Sequence, residues 1–432
     1  MAYGFLPMGF HVHSLWRGLS CLAPARLRCG LCGCVNRANL SNPLISSSRK
    51  DRSIFLRSSY STITGDCHGI TSSESVYPAR EVNIFDTIGQ QGEEVKAHLP
   101  GGRIMLIDGT SVIYRAYYKL LARLHHGHLS HADGNGDWVL TIFTALSLIV
   151  DVLEFVPSHV AVVFDHDGMP CGHTYSSSKE SVLGKGLNFR HTLYPSYKSN
   201  RPPTPDTIIQ GLQYLKAAIK AMSIKVIEVP GVEADDVIGT LAVRSVDEGL
   251  KVRVVSPDKD FFQILSPSLR LLRIAPRGIE MVSFGMEDFA EKYGPLKPSQ
   301  FVDVIALIGD KCDNIPGVDG IGHVNAVQLI SKFGTLENLL ENVEQVEEQR
   351  IKKALVDHAD NAILSKKLAI LRSDLPSYMV PFTTSDLVFE KPEDNGDKFT
   401  SLLTAISAYA EGFSADPLIR RVFYVWEKID KK

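Results

Sequence analysis

Three carboxylates, Glu233, Asp235 and Asp236, fall within four residues of the stretch G-V-E-A-D-D-V-I-G-T at 231–240. Neighbouring carboxylates about 4 Å apart repel each other by ~4 kcal/mol at an effective dielectric of about 20. A fold can hold such a group by protonating it, by solvating it on a surface turn, or by binding a cation to it. The triplet alone does not choose between these. Several other apolar runs also end in aspartate, however: R-I-M-L-I-D at Asp108, H-V-A-V-V-F-D at Asp165, and K-V-R-V-V-S-P-D-K-D at Asp258 and Asp260. The repeated placement is the signal; no single Asp is.

Each of these runs reads as a short strand, and helical patterns lie between them. S-V-I-Y-R-A-Y-Y follows Gly109, a helix is expected over 207–222, and another is expected to start near Val237 after a strand at 224–229. Strands alternating with helices predict an α/β fold with a central, mostly parallel sheet flanked by helices. Ligands in such folds bind beyond the carboxyl ends of the strands. Asp108, Asp165, Asp258 and Asp260 then share one edge, with the Glu233 cluster beside them. Beyond Phe284 the pattern turns helical: 301–309 reads as a helix, with Asp310 and Asp313 in the turn after it. Glycines 317, 320 and 322 lead into a further helix, an arrangement whose backbone N–H groups suit phosphate. No motif stands out in 385–432.

Between Asp165 and Asp206 the chain changes character. Residues 168–186 are rich in Ser and Gly, and N-F-R-H-T-L-Y-P-S-Y-K-S-N-R-P-P-T-P-D follows. It interleaves Arg190, Lys198 and Arg201 with Tyr194 and Tyr197, a mixture suited to a single-stranded nucleic acid, with cations on phosphates and rings on bases. The alternative is an ordinary loop whose tyrosines tuck into the body.

The chain has 432 residues, 44% of them hydrophobic, enough for two or three domains with a core. The apolar run 138–156 is interrupted by Asp151 and Glu154 and reads as a buried helix, not a membrane span. Seven cysteines, five of them before residue 70, do not make a disulfide framework; Cys29, Cys32 and Cys34 lack a second ligand pair for zinc. Of 46 Lys/Arg and 49 Asp/Glu, eight basic and two acidic residues lie in the first 70, which leaves 38 against 47. The Arg- and Ser-rich, acid-poor segment 1–70 fits an organellar transit peptide, mitochondrial or plastid, followed by a linker at 71–102.

The motifs L-I-D-G-T-S-V-I-Y-R-A-Y, V-V-F-D, Y-K-S-N-R-P-P, P-G-V-E-A-D-D-V-I-G-T, D-K-D and G-D-K-C-D-N-I-P-G-V occur in this order over 103–375. In them the chain resembles the 5′-nuclease domain found at the N-terminus of bacterial DNA polymerase I and in stand-alone flap nucleases. The resemblance implies a PIN-like catalytic domain at 103–295, with an arch or threading region at about 168–206. A helix-hairpin-helix DNA-binding subdomain would occupy 296–380, and a C-terminal extension 381–432. It also implies that Asp108, Asp165, Glu233, Asp235, Asp236, Asp258, Asp260, Asp310 and Asp313 hold two Mg²⁺ ions, with Mn²⁺ as a substitute. Arg115, Lys198 and Arg201 would engage the scissile phosphate, with Asp236 counted among the catalytic groups. Arg190 and Tyr197 would lie on the threaded strand, and Gly317, Gly320 and Gly322 would hold the duplex with a monovalent cation.

Two divalent ions roughly 4 Å apart can activate water and stabilise both the attacking and the leaving oxygen of a phosphodiester. Setting the nine acids aside leaves 38, matching the 38 Lys/Arg, so DNA grip must come from local basic patches and backbone amides. The expected activity is a 5′–3′ exonuclease and flap endonuclease on DNA with 5′ ends, flaps or nicks, and on RNA-primed ends. The expected enzyme is a monomer away from membranes, serving replication and repair with a separate organellar polymerase in trans. Alternatives are an RNA-processing 5′-nuclease, a non-catalytic structure-specific DNA-binding protein, and a phosphatase with Asp108 as nucleophile. The last needs a second Asp where Thr110 stands. The chain departs from the family pattern at Val324 and Asn325, where a Lys-Thr pair is usual, and in the length of 168–187.

Overall fold

A computed structural model describes residues 102–125, 136–166, 188–274 and 281–431. The segment 1–70 expected as a transit peptide, with Cys29, Cys32 and Cys34, nearly all of the expected linker and the 168–187 stretch lie outside the described residues. Six strands, β1 (Arg103–Asp108), β2 (His159–Val163), β3 (Lys225–Ile227), β4 (Lys251–Val255), β5 (Leu269–Ile274) and β6 (Met281–Phe284), form one sheet in the order β3-β2-β1-β4-β5-β6. All pairings are parallel except β5 with β6. Both faces are covered, which is why the middle of β1 is apolar and Ile104, Met105, Leu106 and Ile107 are all buried. Side chains alternate between the faces: Ile104 and Leu106 enter one core, Met105 and Ile107 the other.

The chain adds β2 and β3 on one side of β1, then crosses to add β4 and β5 on the other. The crevice at this reversal lies beyond the carboxyl ends of β1 and β4. Helices α1 (Gly109–His125), α2 (Asp137–Leu153), the short α3 (Phe189–Leu193), α4 (Asp206–Ala221) and α5 (Ala234–Asp247) follow in the first half. The apolar run expected to be a buried helix is α2, and no described helix is long and apolar enough to cross a membrane. Helix α5 begins three residues earlier than its periodicity suggests, so Asp235 and Asp236 sit in its first turn.

The second half is helical: α6 (Met286–Tyr293), α7 (Phe301–Ile308), α8 (His323–Phe333), α9 (Leu336–Glu341), α10 (Gln349–Asp357) and α11 (Ala359–Ala369). Helix α7 stops at Gly309, whose φ of +76° favours glycine. The loop after it is closed by paired backbone bonds between Asp310 and Ile315.

Residues 381–432, expected as a C-terminal extension, pack into the core. Helices α12 (Asp397–Ser407) and α13 (Asp416–Asp430) bury Phe399, Leu403, Ile406, Val422, Val425 and Trp426 against α2 and α4. Arg421 on α13 pairs with Asp151 of α2 and with Glu154 just after it. The apolar residues of α13 recur at helical spacing between charged ones, a pattern without a chemical motif but with a buried face.

Candidate active site

Asp108 closes β1 and starts α1. Its Oδ1 accepts from the Ser111 N–H at 2.9 Å, an N-terminal cap, and its Oδ2 accepts from the Ser256 hydroxyl at 2.8 Å. Asp165 lies just past β2, and its Oδ1 accepts from the Ala234 N–H at 2.9 Å, capping α5 from another element. Its own N–H donates to Thr110, which employs the residue that excludes a phosphatase pattern. Asp258 and Asp260 follow β4; Asp258 Oδ1 accepts from the Asp260 N–H at 2.9 Å. Asp235 reaches the same concavity from the first turn of α5.

These five acids have no Lys or Arg within ion-pair distance among the described residues. Burial pushes the Asp108 carboxyl up to about 6, against the bonds from Ser111 and Ser256 and with the help of Asp165. Burial also pushes Asp235 well up, reinforced by the charges of Asp108, Asp258 and Asp165. Asp260 is raised by burial and then by Asp258, and its Oδ1 is buried with no hydrogen-bond partner. A buried carboxylate oxygen without a donor, set among like charges, is an environment that a bound cation would stabilise.

The other four acids are already partnered. Glu233 meets Lys198 at 3.0 Å and Arg190 at 3.2 Å, and accepts from the Asn188 side chain. Burial alone would raise Glu233, but Lys198 and Arg190 hold it below the ordinary carboxylate range. Asp313 pairs with Arg201 and lies 3.9 Å from Lys198, while Asp310 pairs with Lys259 at 3.1 Å. Lys198 has φ +54°, a left-handed conformation unusual outside glycine, and its N–H donates to the Asp313 carbonyl. Backbone held in that region is the kind of strain that collects at functional sites.

Four sequence expectations change here. Asp236 does not join the cluster: Arg190 grips it at 2.7 and 2.9 Å, and the Arg372 N–H donates to the same carboxylate at 3.0 Å. Arg190 is only 4% exposed and also donates to the carbonyls of Leu368 and Ile370, so it does not present itself to a strand. The Tyr197 ring is 3% exposed and its hydroxyl bonds to Glu233 and Asp313, which leaves no face for a base. Gly317 is a packing glycine: a Cβ there would lie 2.4 Å from the Gly309 nitrogen, and its N–H donates to Ser365. Gly320 and Gly322, by contrast, face open space.

Arg115 lines a crevice between α1 and the ends of β4 and β5, with Ser111, Ser256 and Pro257. Ser256, Asn188, Lys259 and Arg372 were not singled out from sequence. Only Lys259 carried a signal, its place between the two acids of D-K-D. No three of the described acids close around one point as a finished ligand cage. The donor set nevertheless fits divalent cations that keep part of their water shell: all oxygens, mutually repelling, one of them without a donor.

Two family models match, one described as the 5′-3′ exonuclease N-terminal resolvase-like domain over 103–294, the other as the 5′-3′ exonuclease C-terminal SAM fold over 296–395. DNA polymerase I of Bacillus caldotenax is 36% identical over 289 residues, covering 67% of this chain and 30% of that protein. The thermostable DNA polymerase I of Thermus filiformis is 35% identical over 277 residues, covering 64% and 29%. The chain thus spans about 30% of the length of these relatives. A crystal structure of the bacteriophage T5 D15 protein with metal ions is 20% identical, with a TM-score of 0.48 over 70% of this chain and 99% of that one. With a resolvase-like sheet and a helical region matched over 103–294 and 296–395, the chain belongs to the 5′–3′ exonuclease family.

Proposed function

We propose that this chain is a divalent-metal-dependent 5′–3′ exonuclease and flap endonuclease that hydrolyses DNA phosphodiester bonds. The observation that carries this reading is the set of unpaired carboxylates Asp108, Asp165, Asp235, Asp258 and Asp260, bordered by Arg115, Lys198 and Arg201. These five acids would hold Mg²⁺ directly or through water, and the bound ions would supply Lewis-acid neutralisation of the phosphate and of the developing charge. Lys198 and Arg201 orient the phosphate, exchanging their present carboxylate partners for its oxygens. Ser111 and Ser256 fix the Asp108 carboxylate by donating to both its oxygens.

Nothing in this set reads base edges, so the specificity is for structure: a 5′ end, a flap or a nick. The test is cleavage of 5′-flap DNA, nicked duplex, RNA–DNA hybrid and single-stranded RNA by the purified chain with Mg²⁺ or with a chelator. Cutting of flap DNA that the chelator stops is expected. Efficient cutting without divalent ions sinks the metal reading, and activity confined to RNA makes the chain an RNA-processing nuclease. The acid-poor segment 1–70 supports an organellar role. Residues 1–100 fused to a fluorescent protein are expected in mitochondria or plastids, and a diffuse cytosolic signal overturns that role.

A further inference from the structure

Helix α1 carries three cations, Arg115, Lys119 and Arg123, at four-residue spacing, and not one Asp or Glu in its 17 residues. Residues four apart share a side of a helix and are separated by about 6 Å along its axis. A solvated helix face normally mixes signs; this one does not. Burial lowers the Lys119 amine from its ordinary value, and Arg123 and Arg115 lower it further, so the three charges share one field. Asp151, which acts in the opposite direction, is taken by Arg421. Among the described residues no carboxylate pairs with Lys119 or Arg123.

The stripe starts at the catalytic edge, because Asp108 is the residue before α1 and Arg115 lines the crevice beside Ser256. It then runs back along the flank of the sheet. Arg253 lies on the sheet face that α1 covers, the face of Val255, and its guanidinium feels Arg103 and Arg270. Of these, Arg270 is neutralised by Glu287 and Asp288. A straight, rigid row of charge complements regularly spaced phosphates, whereas sites for single strands interleave cations with open aromatic platforms. Here Tyr118, though 48% exposed, packs against Tyr114 and edge-on against Tyr117, and the Tyr114 hydroxyl donates to Thr204.

We propose that the Arg115–Lys119–Arg123 stripe is a track for the phosphate backbone of a nucleic-acid duplex abutting the catalytic edge, a role that rests on the nuclease reading above. Lys119 and Arg123 position the duplex and take no part in bond cleavage.

The test compares the full chain with Lys119→Gln/Arg123→Gln on a 5′-flap duplex and on a single strand of equal length. Binding is followed by fluorescence anisotropy across a salt series without divalent ions, and turnover with Mg²⁺. Loss of two phosphate contacts is expected to reduce the slope of log K against log salt by about 1.8. KM on the flap duplex is expected to rise several-fold with kcat unchanged, and single-strand binding to stay as it was. The charge-keeping variant Lys119→Arg/Arg123→Lys is expected to retain the original slope, which separates charge from folding. An unchanged slope in the Gln variant, or an equal loss on both substrates, overturns the track. If the unaltered chain neither binds nor cuts flap DNA, the nuclease reading fails first and the track with it.

Discussion

Arg190 and Asp236 form a two-pronged ion pair, 2.7 and 2.9 Å, in which neither side chain is more than 4% exposed. Asp235, one residue away, turns into the acid cluster instead. Consecutive residues on a helix project about 100° apart, so adjacent carboxylates serve opposite purposes here. One is an unpaired acid of the site; the other anchors the turn that carries it.

Breaking that pair from one side leaves a buried charge. Asp236→Ala or Arg190→Met is expected to destabilise the protein by about 3–5 kcal/mol. The double variant Arg190→Met/Asp236→Leu should cost less than the two single changes added together. Urea unfolding of the four proteins measures the coupling, and strict additivity would mean that the pair contributes nothing as a pair.

The unpaired acids work against stability until a cation arrives. Asp108 has a folded pKa of about 6 against an ordinary 3.8, so between those values the folded protein binds the extra proton. Stability without metal is therefore expected to fall as pH rises from about 4 to 6, by up to about 3 kcal/mol. Asp108→Asn should make this dependence shallower, the raised Asp235 and Asp260 still contributing, and should abolish cleavage. Thermal unfolding in EDTA across this range checks the sign.

Lys198 is expected to act on turnover more than on binding. Lys198→Met should lower single-turnover cleavage by about 100-fold, the scale found when a positioned charge donor is removed. Flap affinity should change little. A large loss of affinity with normal turnover would place Lys198 on the DNA path and away from the reacting phosphate.

The glycines of the hairpin are expected to respond unequally. A Cβ at Gly317 would lie 2.4 Å from the Gly309 nitrogen and 2.6 Å from the Ile308 carbonyl carbon, and φ is +68°. Gly317→Ala should therefore cost well over about 2 kcal/mol. Gly320→Ala meets nothing within 4 Å and bears only the left-handed backbone cost of about 1 kcal/mol. Thermal unfolding separates the two, whereas DNA affinity should fall only for changes at Gly320 and Gly322.

The sheet and its aspartates were legible because strand and acid are contiguous: an apolar run that ends in Asp places that Asp at a carboxyl edge. Asp236 was misjudged because its fate depends on where α5 begins, and three residues of error rotate the acid to another side. Arg190 and Tyr197 looked available to nucleic acid because their local sequence is basic and aromatic. The acids that consume them, Glu233, Asp236 and Asp313, lie 36 to 116 residues away. Helices α12 and α13 lacked any chemical motif, and their burial depends on the faces of α2 and α4 that they meet.

The stretch that leaves α11 binds back onto the sheet domain at several points. Leu368 and Ile370 supply carbonyls to Arg190, Arg372 donates to Asp236, and Arg244 donates to the carbonyls of Leu375, Val380 and Phe382. The two family models part company at residue 295, yet the sheet region borrows its acid-turn support from residues seventy or more positions downstream. For protein engineering, a graft of the helical module from a relative must carry 368–382 with it and preserve the carbonyl register. A cut at the apparent seam would yield a catalytic half whose acids have lost their brace.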